Sequence, residues 1–149
     1  MNDDLLARVR ATFHALDPVP AEVLAAARSA LAWRVPGAEL AELTASPAAP
    51  GSAAGVRGPA APRTVTFAAS RIVIELEIDG TGDGHEIAGR LAPPVPAEVR
   101  VRHLAVPEQP GARTDPAGHF ALPALPEGLV SLAFLLPDGS SIVTSWIRL

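Results

Sequence analysis

Residues 3 to 16 place Leu5, Leu6, Val9, Phe13 and Leu16 at spacings of three and four. This is the stripe of an amphipathic helix, and Asn2 or Asp3 can cap it. Asp17-Pro18-Val19-Pro20 stops that helix and supplies a proline suited to the first position of the next. From Ala21 to Trp33 the chain is rich in helix formers, with Val23, Leu24, Ala27, Ala30, Leu31 and Arg34 on or beside one face. The two segments predict a helical hairpin. After Val35-Pro36-Gly37, residues 38 to 43 can hold a short third helix or an extended arm.

Residues 44 to 63 change character: sixteen of those twenty positions are Ala, Gly, Pro or Ser. Such a segment lacks the large apolar surface needed to order itself and reads as a linker. Beyond it the period is two. In 63 to 67 and 71 to 79, Val65, Phe67, Ile72, Ile74, Leu76 and Ile78 can face a core while Thr64, Thr66, Glu75 and Glu77 face solvent. A turn at 79 to 84 and short strands at 85 to 92, 98 to 106, 119 to 123, 129 to 136 and 141 to 149 follow. The expected fold is therefore mainly β with an N-terminal helical hairpin, its β part a seven-stranded antiparallel sandwich. The expected organisation is a hairpin over 2–43, a linker over 44–62 and a β-sandwich over 63–149.

Composition narrows the chemistry. The 149 residues contain no cysteine, no tyrosine and, since all twelve basic side chains are arginine, no lysine. Disulfides, thiol nucleophiles, thiolate-bound metals, Schiff-base lysines and the P-loop lysine are all excluded. The arginines are scattered and the net charge is −4, so no electrostatic footprint for nucleic acid is present. Apolar runs fall short of the ~20 residues that a membrane span needs, and Asp3 and Asp4 argue against a signal peptide. The expectation is a cytoplasmic protein with neither a nucleic-acid nor a membrane partner.

Thr114-Asp115-Pro116-Ala117-Gly118-His119-Phe120-Ala121-Leu122, followed by Leu125-Pro126-Glu127-Gly128, resembles the carboxypeptidase regulatory-like domain, a transthyretin-like sandwich. Residues 87–91 and 99–101 resemble its earlier strands, so the likeness covers 85–136. It implies a hairpin, a Leu-Pro-x-Gly turn and an apolar strand, in a module that folds, spaces or recognises without catalysing. The residues give a structural reading on their own terms. Asp115 can accept backbone N–H bonds across the turn, Gly118 can take a positive φ, and Phe120 can return the chain to the core. Across the whole chain, the run from Leu16 to Arg34, the arm, the 63–78 strands and Trp146-Ile147-Arg148-Leu149 are similar to small proteins of high-GC bacteria. That likeness implies a setting beside extracytoplasmic-function sigma factors and CHAT proteins, and a regulatory role. The His-x-x-x-Cys-x-x-Cys spacing of zinc-binding anti-sigma factors is missing.

The chemistry-bearing residues read as structural. His14, His85, His103 and His119 have Asp83, Glu86 and Asp115 near them in sequence, but no His-x-His or His-x-x-x-His pair starts a metal site. Exposed strand and turn histidines are expected, and no metal or cofactor. Ser140 or Ser141 with His119 and Asp115 lacks the Gly-x-Ser-x-Gly elbow. Glu75 and Glu77, two apart on a strand and so about 7 Å apart, imitate a glycosidase pair but match ordinary solvent-facing positions. No enzyme is expected.

The partner surface is instead expected on Leu5, Val9, Phe13, Trp33, Arg34 and Trp146, where aromatic and arginine side chains give the composition of an interface hot spot. If Trp146 is exposed, Thr144 and Arg148 share its face. Asp115, Gly118, Phe120 and Gly128 are assigned to the fold. The expected function is a non-catalytic protein–protein interaction adaptor, with a homodimer through the hairpin as one form of it. The alternative is a sandwich that binds carbohydrate or peptide through loops 79–85 and 107–118.

Overall fold

In a computed structural model of the chain, the described residues are 2–16, 20, 21, 24, 33–46, 62–82, 84–106, 108 and 110–149. They fall in two units, Met1–Arg34 and Val35–Leu149. In the first, α1 (Asn2–Leu16) carries Asp3 and Asp4 in its first turn, where they complement the helix dipole. Asp4 meets Arg8 one turn on at 3.3 Å. The second predicted helix lies mostly outside the described residues, which give only Ala21 and Leu24 as helical.

The second unit is built by the period of two. Ten strands form: β1 (Glu39–Ala45), β2 (Arg63–Ala68), β3 (Val73–Thr81), β4 (Gly84–Ala92), β5 (Glu98–His103), β6 (Gly111–Arg113), β7 (His119–Leu125), β8 (Leu129–Leu135), β9 (Ser141–Thr144) and β10 (Ile147–Arg148). The order across the sheet is β6-β5-β8-β9-β1-β2-β3-β4-β7, with β10 beside β8. Strand β1 joins two half-sheets. Its residues Glu39 to Ala41 run parallel to Ile142 to Thr144 of β9, and Glu42 to Ala45 run antiparallel to β2 across a register shift. The sheet is nearly barrel-shaped, and its two outermost strands, β6 and β7, are consecutive in the chain and meet.

Val65, Phe67, Ile72, Ile74, Leu76 and Ile78 are all buried, as their alternation predicts. They face Val99, Val101, Val130, Leu132 and Phe134 in one core. The Phe120 and Phe134 rings meet edge to face across the half-sheets, 5.6 Å apart at 71°, a favoured aromatic geometry.

Four sequence expectations change. Residues 39–45 form β1, so the helical part does not extend to residue 43. Among the described residues the strands number ten and include one parallel pair, rather than seven all antiparallel. Thr114 to Gly118 is not a hairpin within one sheet but the corner joining the two ends of the sheet, because β6 pairs with β5 while β7 pairs with β4. The predicted last strand is broken after Thr144, where the Ser145 N–H donates to Ala41 of β1 at 3.0 Å. Residues 47–61, the body of the predicted linker, lie outside the described residues.

Candidate protein-interaction surface

On α1, Leu5, Leu6, Val9, Phe13 and Leu16 are from 43% to 80% exposed. A 15-residue helix is marginal alone in water and gains its stability from burying an apolar face. These five large apolar side chains lie on one turn-to-turn stripe. Trp33 is half-buried and Arg34 exposed.

In the β unit, Trp146 stands in the break between β9 and β10 and is 38% exposed. Its partner is Arg102 of β5, whose guanidinium lies 5.2 Å from the ring centroid, within cation–π range. Burial alone lowers the Arg102 pKa, and arginine remains charged throughout the range in which proteins work. Arg102 Nη1 also donates to Ser131 Oγ at 3.3 Å. The expected Thr-Trp-Arg patch does not form, because Thr144 is buried and its hydroxyl accepts the Leu132 N–H at 2.9 Å. Its carbonyl accepts from Ser131 Oγ at 2.8 Å.

The sequence reading missed Arg102 as the companion of Trp146. It also missed that Leu40, Leu129 and Leu135 are exposed on the β unit. A signal was present: Leu129 to Leu136 is apolar in both phases of the strand period, whereas a sheet with one solvated face alternates.

Asp115 Oδ1 accepts from the His119 and Ala117 N–H groups, each at 2.9 Å. The His119 bond, followed by that from Ala117, keeps the Asp115 carboxyl below its ordinary value. Gly118 has φ +83°, and a Cβ there would meet the Leu91 carbonyl oxygen at 2.7 Å. Phe120 is buried. Gly128 has φ +148° and lies against the His103 ring.

His103 departs from expectation, since it is fully buried instead of solvent-facing. The Ala105 N–H donates to its Nδ1 at 3.1 Å and its Nε2 lies 3.0 Å from the Pro126 carbonyl. The Ala105 N–H can only donate and the Pro126 carbonyl can only accept, so of these two bonds Nδ1 accepts one and Nε2 donates the other. The ring ties the segment after β5 to the turn before β8.

His119 is exposed, with Nδ1 3.6 Å from Asp115 Oδ2. Ser140, the serine a hydrolase triad would recruit, donates its hydroxyl to Asp138 in the turn between β8 and β9. Glu75 is held by Arg90 at 2.7 Å, while Glu77 pairs across strands with Thr64 and Ala88. Among the described residues no group of three His, Asp or Glu side chains is placed to hold a metal ion. Asp83 and the side chain of His14 are outside them. No described helix is long and apolar enough to cross a membrane. No family model, no curated protein and no solved structure matches this chain.

Proposed function

We propose that the protein is a non-catalytic interaction adaptor in which the β unit is a stable body and the N-terminal helical segment is the docking element. The observation that carries this reading is the exposed stripe of Leu5, Val9 and Phe13 with Leu6 and Leu16. A stripe of that width stabilises a helix only when something covers it. In the same reading the β unit is a transthyretin-like sandwich of the carboxypeptidase regulatory-like kind. The two half-sheets over one core and the corner of Asp115, Gly118 and Phe120 support that assignment.

The test compares the wild-type full chain with the triple variant Leu5→Asp, Val9→Asp, Phe13→Asp in chemical cross-linking within the source cells, followed by identification of what is joined to each. All three positions are exposed, so the β unit keeps its melting temperature. The expected result is a defined protein partner, or a second copy of the chain, joined to the wild type and absent from the variant. Identical products from both would overturn the proposal.

A further inference from the structure

The two outward faces of the β unit differ in chemistry. On the β1–β2–β3–β4–β7 side, cross-strand pairs match Glu75 with Arg90, Glu77 with Ala88 and Asp79 with Glu86, and Thr64 and Thr66 stand beside Glu77 and Glu75. Apart from Val73, which is 37% exposed at one end of β3, that face is polar and acidic. The outward face of β5, β8, β9 and β1 is apolar along its centre. Register puts Leu40 beside Val143 and Val143 beside Ala133. Exposure is 52% at Leu40, 37% at Leu129, 43% at Leu135 and 38% at Trp146. Apolar side chains that run across β1, β9 and β8, with Trp146 beside them, mark a contact surface.

The rim of that face says what it fits. Arg100 and Arg102 pair with Ala133 and Ser131, Arg113 with Glu98, and Arg148 with Leu129. Among the described residues, four arginines against the carboxylates of Glu98 and of Glu42, which is exposed two residues along β1 from Leu40, leave this face with an excess of positive charge on a chain whose net charge is −4. Two copies meeting through it would oppose arginine to arginine, which disfavours self-association. An extended peptide adds to a sheet at an edge strand, whereas the face of a sheet is covered by a helix laying an apolar stripe on it. Anionic lipid fits less well, because Glu98, bonded to Arg100 at 2.7 Å, sits within the basic flank and no apolar side chain on the face is fully exposed. We infer that the outer face of β5, β8, β9 and β1 is a second docking site, separate from α1, and that its occupant is an amphipathic helix of a partner protein with acidic residues beside its apolar stripe.

This site goes beyond the adaptor reading, and its test separates the two. Two synthetic peptides of roughly 18 residues, five helical turns, share one leucine stripe; glutamate flanks it in one and lysine in the other. Binding is read from Trp146 emission in the full chain carrying Trp33→Phe. The expected result is that the glutamate peptide shifts Trp146 emission and binds at least tenfold more tightly than the lysine peptide. Leu135→Asp abolishes the binding, and Arg113→Glu weakens it severalfold with the melting temperature retained. The α1 triple variant binds the glutamate peptide as the wild type does, so failure of the adaptor reading leaves this result standing. No binding, or equal binding of both peptides, overturns the proposal. Three other occupants would also overturn it. Binding that appears only in the α1 variant assigns the face to the chain's own helix. A doubled mass lost on Leu135→Asp assigns it to a second copy. A Trp146 shift with phosphatidylglycerol vesicles but not with the peptide assigns it to a lipid surface.

Discussion

The Phe120 ring lies directly over Gly89, its cross-strand neighbour, so that a Cβ on Gly89 would come within 2.2 Å of the ring carbon Cζ. A glycine in mid-strand normally weakens a sheet; here its missing side chain is the space in which an aromatic ring of the next strand packs. Gly89→Ala is expected to destabilise the protein by about 1–3 kcal/mol through overpacking. Phe120→Ala, which empties the same space, is expected to cost about 3–5 kcal/mol. In Gly89→Ala/Phe120→Ala the two effects partly cancel, and urea denaturation of the four proteins of the cycle reads the coupling.

The corner at Asp115 predicts a pH dependence. Its carboxylate accepts the His119 and Ala117 N–H bonds more strongly when ionised, which lowers its folded pKa below the ordinary 3.8. The stability this adds is complete above the unfolded value and is lost as pH falls through the depressed folded value. Thermal melts from pH 7 to pH 2 should show wild type above Asp115→Asn by a constant margin down to about pH 4, shrinking below it. Glu39 and Asp138 are shifted in the same direction by bonds from Ser70 and Ser140, so wild type also loses stability in that window for reasons Asp115→Asn leaves intact. A margin that grew on acidification would contradict the assignment.

Gly128 and His103 make a second close pair. A Cβ on Gly128 would stand 2.8 Å from His103 Cε1, at φ +148°. Gly128→Ala therefore combines backbone strain with a clash against a buried ring and is expected to cost about 2–4 kcal/mol. His103→Ala removes the clash but leaves the Ala105 N–H and the Pro126 carbonyl without the ring that joins them, at about 1–3 kcal/mol for each unmet group. Guanidinium denaturation should show Gly128→Ala harming wild type more than the His103→Ala background.

Arg102 holds one side of the Trp146 ring. In a Trp33→Phe background, Arg102→Ala should shift Trp146 emission to the red and raise its acrylamide quenching, with a stability loss of about 0.5–2 kcal/mol. Arg102→Lys, which keeps the charge but not the planar guanidinium, should fall between the two.

Most of the core was legible because the period of two is strict from Val65 to Ile78, and each of those side chains is buried. The turn at Asp115, Gly118 and Phe120 was legible because Asp, Gly and Phe have different local preferences that agree there, but not that it joins the two ends of the sheet, which depends on the pairing of β6 with β5 and of β7 with β4. Strand β1 was not. Its seven residues bury only Ala41, so no apolar alternation announces it, and its place is set by backbone pairing with β2 and β9. Strand β6 is three residues long, too short for any period. The candidate partner residues were half legible: Leu5, Val9 and Phe13 stand out on a helix of the first unit, whereas in the second unit the meeting of Trp146 with Arg102 depends on a strand break that a local pattern does not contain. The same holds for Thr144, which shares a phase with Trp146 in sequence and is turned inward in space.

The pairing of Ala41 with Thr144, about two thirds of the chain apart, sets the order of events during synthesis. Strand β1 leaves the ribosome before β2 and long before β9, yet its slot exists only once both have been made. Until then it is an unclaimed strand whose single buried side chain gives it little to collapse around, and contacts this distant in sequence form slowly. The segment made early is thus the segment placed late, and the vulnerable interval for the nascent protein is the time between those two events.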